Sequence, residues 1–237
     1  MRKLGRVMAS LLTAVLALGL LTVLAGCGLG GQSKEVDKLI NDANGHVAKG
    51  NKLDREVAGL FKQMGKDFSL VSSGNTKQAA AAVKKIEKGD VQLRAKLAQI
   101  SEEAKASATA IATARELNVS DDMKTWLAME LEANGAWQKS TKAQTDLSKL
   151  FVTVAKTSYS LVAKANRSAG AFESVSGEDL DAAIDKAERE LKSSTAAVNK
   201  QVERLTKAGA SVQEASDNYE RLKAAADAYF KDKSLGK

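Results

Sequence analysis

Apolar residues recur at alternating spacings of three and four positions along most of the chain after residue 33. This spacing places about one apolar residue per helical turn on the same side, which predicts amphipathic α-helices. The segment SSGN at residues 72–75 interrupts the pattern, and Asn75 or Thr76 is suited to cap the helix that follows. The first stripe contains Val36, Leu39, Ile40, Ala43, Val47, Gly50, Leu53, Val57, Leu60, Phe61, Met64 and Phe68, and the second contains Val83, Ile86, Leu93, Leu97, Ile100, Ala104, Ile111 and Ala114.

Two longer stripes follow in the second half of the chain. Asn118 closes the second helix, and Ser120 is a predicted N-cap for the third, because its hydroxyl can accept a hydrogen bond from a first-turn amide. Glycine and serine in residues 168–177 interrupt the third stripe, and Ser176 with Asp179 resembles a capping box for the fourth helix. The third stripe contains Met123, Trp126, Ala133, Trp137, Leu147, Phe151, Val154, Leu161 and Ala165, and the fourth contains Leu180, Ile184, Ala187, Leu191, Val198, Val202, Leu205, Ala208, Val212, Ala215, Tyr219, Leu222, Ala226 and Tyr229.

These stripes predict an all-α fold with four helices near residues 34–68, 76–117, 121–166 and 178–231. Short connections between long helices favour antiparallel neighbours, so we expect an elongated up-and-down four-helix bundle over residues 34–232. The fourth stripe repeats close to every 3.5 residues, which favours coiled-coil-like packing. The chain has no proline and only 4% aromatic residues, and its abundant alanine also favours helices over sheets.

The amino terminus has the layout of an export signal. Three basic residues lie within residues 1–6, an almost uninterrupted apolar run covers residues 7–23, and the tetrapeptide LAGC occupies residues 24–27. This order resembles a secretory signal that ends in the lipobox of bacterial lipoproteins.

We therefore expect residues 1–26 to be removed by cleavage between Gly26 and Cys27, and Cys27 to carry diacylglycerol that anchors the chain to a membrane. Residues 27–33 would form the lipidated cysteine and a flexible tether. A retained membrane helix and an ordinary buried thiol are the alternatives. Cys27 is the only cysteine and directly follows the apolar run, which favours lipidation. The protein is then exported and faces the cell wall or periplasm.

The net charge limits the kinds of molecule that the protein is expected to bind. The whole chain has a net charge of +7, and without residues 1–26 it keeps 33 basic and 29 acidic residues, a net charge of +4. This mild balance lacks the dense basic stripe of a nucleic-acid-binding protein, so no nucleic-acid partner is expected. It is compatible with solvated helix faces and with contact to anionic lipid or an anionic wall polymer.

Two connections are expected at the end of the bundle farthest from the lipid, because the first helix leaves the membrane and the fourth returns toward it. They are residues 69–75 and 168–177, the latter mostly small and polar. Phe172 and Val175 are apolar exceptions within it and are the candidate residues for partner contact. The alternative is that both side chains fold over the end of the bundle.

Trp126 and Trp137 are eleven residues apart and therefore share one face of the third helix. We interpret them as core residues, with a ligand slot between helices as the alternative. Gly45, Gly50 and Gly135 are expected at similar heights, where the lack of a side chain lets helices approach closely. A break of the first helix at Gly45 is the alternative.

The sequence contains no recognisable catalytic or metal-binding motif. His46 is the only histidine and lacks the Glu-x-x-His or His-x-x-x-His spacing, so we expect no metal, no cofactor and a partly exposed helical His46. No Gly-x-Ser-x-Gly elbow or phosphate-binding glycine loop occurs. Glu130 falls on the apolar stripe, where burial would raise its pKa, and a bundle-end position or a bond to a neighbour explains it without catalysis. We therefore expect no enzymatic activity.

The lipobox, the order of helices and several residues near the carboxyl end carry a resemblance to a known family. The residues in the last helix are Leu180-x3-Ile184, Asn199, Tyr219-x3-Lys223 and Tyr229-Phe230. Together these features resemble the cell-wall-binding lipoprotein family of Gram-positive bacteria, called YkyA-like. The resemblance implies a helical envelope protein that faces the wall, with cell-wall binding as its activity, and it supplies no functional residue beyond Cys27.

The expected function is a structural or interaction role at the envelope. A lipid-anchored helical rod would engage anionic wall polymer or another envelope protein. The alternative is a helical sensory or solute-binding lipoprotein with a pocket near Trp126 and Trp137.

Overall fold

The computed structural model describes residues 34–172 and 178–235. They form four α-helices and no strand: α1 Lys34–Val71, α2 Thr76–Glu116, α3 Asp121–Phe172 and α4 Glu178–Asp232. The predicted all-α four-helix bundle is confirmed. The expected signal peptide, Gly26, Cys27, the tether, Val175 and the Ser176 cap all lie outside the described residues.

Two predicted helix ends were wrong. α1 continues to Val71 instead of ending at residue 68, and α3 continues to Phe172 instead of ending at residue 166. Gly170 therefore lies inside α3. A glycine lowers helix stability by only about 1 kcal/mol relative to alanine, so it does not by itself end a long helix. α1 also runs without interruption through Gly45, which excludes the alternative of a break there.

Side-chain caps and one glycine define the helix ends as expected. The Gln78 backbone N–H donates to Asn75 Oδ1 at 3.0 Å at the start of α2, and the Met123 N–H donates to Ser120 Oγ at 3.2 Å at the start of α3. Gly74 has a φ of 83°, a left-handed conformation that favours glycine, in the turn that follows α1. Both predicted caps are confirmed.

The chain divides into two compact units, and every helix contributes residues to both. Among the described residues, unit 1 lies within Gly59–Leu93 and Asp146–Gly209. Unit 2 contains residues 34–58, Arg94–Thr145 and residues 210–235.

Unit 2 has a core built from all four helices. Its buried apolar residues are Val36, Ile40 and Ala43 of α1, Ile111 and Ala114 of α2, Val119 before α3, Met123, Trp126 and Leu127 of α3, and Ala226 of α4. The Trp126 ring packs against Phe230 with centroids 4.8 Å apart. Burial of these side chains stabilises the association of the helices, because removal of apolar surface from water is favourable.

Ion pairs and hydrogen bonds show the direction of neighbouring helices in unit 2. Glu103 of α2 pairs with His46 of α1, and Lys96, seven residues earlier in α2, pairs with Glu56, ten residues later in α1. Residue numbers thus fall along α2 as they rise along α1, so the two helices are antiparallel. The α3–α4 contacts show the same order, since Asp122 contacts Tyr229 and Ser140 contacts Ser216.

Unit 1 also joins segments of all four helices. Phe68 of α1 packs edge-on against Phe151 of α3 with centroids 5.6 Å apart, and Lys156 of α3 pairs with Glu87 of α2 at 2.6 Å. Lys164 of α3 donates to the Ser194 hydroxyl of α4 at 3.0 Å. The exposed large apolar residues within the described ranges, Leu70, Val91 and Ile184, all belong to this unit.

One hydrogen-bonded contact in unit 1 joins α3 to the α1–α2 connection. Asn166 Nδ2 donates to the Gly74 carbonyl at 2.8 Å and to Thr76 Oγ1 at 2.5 Å. Because Asn166 is followed by a further helical turn, this contact lies before the end of α3 rather than at it.

Candidate functional site

A close approach between α1 and α3 in unit 2 depends on Gly50. A β-carbon built on Gly50 would lie 2.3 Å from Cζ2 and 2.4 Å from Cη2 of Trp137. Only glycine therefore leaves room for the indole ring at this position. Trp137 is 3% exposed and Trp126 is 2% exposed, so the interpretation of both as core residues is confirmed.

The other two interior glycines do not make such an approach. A β-carbon on Gly45 or on Gly135 would meet no atom within 4 Å. The prediction that three glycines together let the helices approach is therefore wrong for these two. Gly45 is exposed and Gly135 is half-buried, so each has space that a methyl group could occupy.

A buried ion pair lies beside the two tryptophans. Lys223 Nζ of α4 contacts Glu130 Oε1 of α3 at 3.0 Å, and the two side chains are only 7% and 3% exposed. Lys223 also pairs with Asp227, one helical turn later. Such a pair requires direct contact, because removing two charges from water is costly unless they neutralise each other. We use the name polar core for Asp54, Glu130, Tyr219 and Lys223.

Burial dominates the titration of Glu130. Burial raises the pKa of the Glu130 carboxyl, and the charge and hydrogen bond of Lys223 lower it in part. The predicted direction is confirmed, and so is the expectation that a bond to a neighbour accounts for an acid on the apolar stripe. What the sequence did not identify is the neighbour, Lys223.

Asp54 is the second buried acid of the polar core and is 7% exposed. Burial raises the pKa of its carboxyl to about 7, while the nearby Trp137 indole lowers it in part. No ion pair within residues 34–172 and 178–235 includes Asp54. The cost of ionising this group in the folded protein is therefore not offset by a cation.

Tyr219 completes the polar core. Burial raises the pKa of its phenol, and the negative charges of Glu130, Asp227 and Asp54 raise it further. The phenol is therefore neutral at physiological pH. Its ring supplies apolar packing close to the acidic groups that influence its titration.

The polar core accounts for an error in two predicted stripes. In α4, Lys223 is buried whereas Leu222, assigned to the stripe, is only half-buried. In α1, Asp54 is buried whereas Leu53 is half-buried. At these two positions a charged side chain is thus buried more deeply than the apolar neighbour that the spacing selects. In α4 the buried Lys223 reaches Glu130 of α3 and forms the ion pair with it.

A second buried polar contact joins α4 to α3. Ser216 is 3% exposed and its hydroxyl lies 3.2 Å from that of Ser140 in α3. Ser216 Oγ also donates to the Val212 carbonyl at 2.8 Å. The buried hydroxyl is thus satisfied both within α4 and across to α3, as a polar group without access to water requires.

His46 lies on the surface of unit 2, where Nδ1 contacts Glu103 Oε2 at 2.6 Å. The His46 and Glu103 side chains are 29% and 24% exposed, which confirms the predicted partial exposure of the histidine. A groove of about 520 Å³ runs beside them. Its lining includes Gly45, Ala106, Ala110, Asp42, Lys49 and Thr109. Within the described part of the chain, no group of three potential ligands could hold a metal ion.

The polar core offers no space for a substrate. The cavity beside it has a volume of about 10 Å³, which is close to the minimum for one water molecule. General acid or base catalysis requires a reacting group within hydrogen-bond reach of the side chain. Glu130 instead forms its ion pair with Lys223, and Asp54 is enclosed near Trp137. The charged side chains of the polar core therefore pack between the helices and do not line a substrate site.

The candidate contact residues at the α3–α4 connection are only partly described. Phe172 is the last residue of α3 and is half-buried, whereas Val175 lies outside the described residues. The assignment of partner contact to Phe172 and Val175 stays a prediction.

Comparison of the chain with protein-family models, with curated proteins and with solved structures finds no match in any of the three. Between residues 34 and 235, excluding the undescribed gap at 173–177, no helix is long and apolar enough to cross a membrane.

Proposed function

We propose that this protein is an exported lipoprotein, anchored to the cell membrane through Cys27, with a structural or interaction role at the cell envelope. The observation that carries the proposal is the order of a basic segment, an apolar run and LAGC at residues 24–27. Small residues at Ala25 and Gly26 suit an extended backbone in a peptidase cleft. Two acyl chains provide stable anchoring, because each buried CH₂ contributes about 0.8 kcal/mol.

The helical part of the chain supports an interaction role over a catalytic one. Its tryptophans are packed and its buried charges are paired or enclosed, and the cavity beside them accommodates no more than one water molecule. Surfaces of the helices are then what the protein offers to other molecules.

Anionic wall polymer is the partner that we propose, with another envelope protein as the other candidate. The chain without residues 1–26 keeps a net charge of +4, which favours contact with a polyanion. The resemblance to YkyA-like lipoproteins is in accord with this choice. Phe172 and Val175 are the proposed contact residues.

The anchor is tested by growing cells that express the protein with an alkyne fatty acid and attaching a fluorophore to the labelled lipid. The natural chain should be labelled and should fractionate with membranes, whereas Cys27→Ala should lose both properties. Ser10→Ala, a change inside the apolar run, is the matched control and should retain both. Labelling of Cys27→Ala, or an unmodified Cys27 thiol by mass spectrometry of the natural protein, would refute the anchor.

Wall binding is tested separately by sedimentation. The chain from Gly28 onward, which contains all four helices, is mixed with isolated cell wall at low and at high salt. Charge-driven binding should give co-sedimentation at low salt that decreases at high salt, because salt screens exposed charges. The absence of co-sedimentation at both concentrations would exclude wall polymer and leave a protein partner as the candidate.

A sensory or solute-binding role at Trp126 and Trp137 remains the alternative function, but no observation favours it. The space next to Trp137 is about 10 Å³, far below the roughly 300 Å³ of the smallest ordinary ligand pockets.

A further inference from the structure

Three buried polar atoms without a hydrogen-bond partner among the described residues belong to residues that line one small cavity of unit 2: Ser107 Oγ, Asn134 Oδ1 and Trp137 Nε1, the last of which lies near Asp54. Ser107 is 0% exposed and Asn134 is 5% exposed. Within the described residues, no protein group hydrogen-bonds to Ser107 Oγ or to Asn134 Oδ1. Both residues line the cavity of about 10 Å³ that also borders Glu130, Tyr219 and Lys223.

Neither of the oxygen atoms Ser107 Oγ and Asn134 Oδ1 is satisfied within its own helix, whereas nearby hydroxyls of α2 are. Thr109 and Thr113, farther along α2, donate to the carbonyl four residues earlier at 3.0 and 2.9 Å. Ser107 makes no such bond. Asn134 uses its Nδ2 to donate to the Glu130 carbonyl at 3.2 Å, which fixes the orientation of the amide and leaves Oδ1 as the unsatisfied atom.

We propose that unit 2 binds a single internal water molecule between Ser107 and Asn134, next to the Glu130–Lys223 ion pair. The water donates one hydrogen bond to Asn134 Oδ1 and exchanges another with the Ser107 hydroxyl. Internal waters occupy polar sites of about this volume that offer two to four hydrogen-bonding partners. Each buried polar atom then gains the partner that folded proteins almost always provide.

The chemistry of the lining selects a neutral ligand. Lys223 and Glu130 both line the cavity, and because their opposite charges are paired with each other, the lining has no net charge that would favour an ion. The volume excludes organic molecules. Water both fits and can turn its dipole to suit the two charges, so it also hydrates a pair that the fold has otherwise removed from solvent.

The direct test is a crystal structure of the chain from Gly28 onward, which includes all four helices, at a resolution that defines ordered water. A density peak within 2.6–3.2 Å of both Ser107 Oγ and Asn134 Oδ1 is expected. No peak there, or a peak with the shorter distances and higher coordination of a bound cation, would overturn the proposal.

A solution measurement uses the substitution Ser107→Val. Magnetic relaxation dispersion of water deuterons counts internal waters that stay bound longer than the protein takes to tumble. Ser107→Val places a methyl group in the cavity and should lower the amplitude by one water molecule. Ser160→Val makes the same change at an exposed serine of α3 and should leave the amplitude unchanged.

An unchanged amplitude in a folded Ser107→Val protein would count against the site. If that variant does not fold, the crystal structure of the natural sequence decides. Neither measurement depends on the lipid or on a wall partner, so failure of this proposal leaves the proposed function untouched.

Discussion

Gly50→Ala perturbs a close approach between α1 and α3. The added methyl carbon would lie 2.3 and 2.4 Å from two ring carbons of Trp137, far inside van der Waals contact. Trp137 is 3% exposed and cannot turn away without disturbing the core around it. Either the indole moves off its rotamer or the two helices separate, and both responses lower the free energy of unfolding.

The size of the stability loss in Gly50→Ala is best estimated by comparison with Gly45→Ala. Alanine is favoured over glycine inside a helix by about 1 kcal/mol, and this gain applies equally to Gly50→Ala and Gly45→Ala. A β-carbon at Gly45 meets nothing within 4 Å. Overpacking a core typically costs about 1–3 kcal/mol, so the two variants should differ by that amount, with Gly45→Ala the more stable.

The assay is urea unfolding followed by circular dichroism, with free energies from linear extrapolation. The double variant Gly50→Ala/Trp137→Leu adds a further test, since a smaller side chain at residue 137 should relieve the clash and make the two changes non-additive. Equal stabilities of Gly50→Ala and Gly45→Ala would refute the close approach between α1 and Trp137.

Three further predictions concern buried charge and a helix cap. Lys223→Met leaves Glu130 buried without its cation and should lower the free energy of unfolding by about 3–5 kcal/mol. Lys149→Met, in an exposed pair, should lower it by at most about 1 kcal/mol. Equal losses for the two variants in urea unfolding would contradict this. The Asp54 carboxyl titrates near 3.8 when unfolded and about 7 when folded, so the folded state retains a proton that the unfolded state releases, and stability falls as pH rises through this window. The loss of unfolding free energy over the whole window is up to about 4 kcal/mol, and Asp54→Asn should remove it. The prediction fails if the unfolding free energy changes between pH 5 and pH 8 by the same amount in Asp54→Asn as in the natural protein. Ser120→Ala removes the N-cap of α3 and should lower stability by about 0.5–2 kcal/mol, a prediction that fails if thermal unfolding is unaltered.

Local features were predicted from the sequence with good accuracy. Asn75 and Ser120 cap α2 and α3 as expected, because capping depends on a side chain and the amides two or three residues away. Every apolar residue assigned to the α2 stripe is buried, from Val83 to Ala114. Apolar spacing therefore identifies the inner face of this helix.

Predictions failed where distant parts of the chain decide the outcome. Among the three interior glycines, only Gly50 faces a bulky partner, and nothing in the spacing of Gly45 or Gly135 distinguishes them from it. The partner is a side chain 87 positions later, at Trp137, in another helix.

The sequence by itself determined that the chain is helical and where its four helices begin. For its first 27 residues it gives the prediction of a lipoprotein signal. These properties depend on spacing and on neighbours within a few residues. Only the tertiary structure decided that Lys223 and Asp54 turn inward while Leu222 and Leu53 lie half-buried. A prediction from apolar spacing considers only the free energy of moving each side chain from water to the core, and no partner that it meets there. Lys223 is stabilised inside by a carboxylate 93 residues away in α3, and that contact exists only once the helices have packed.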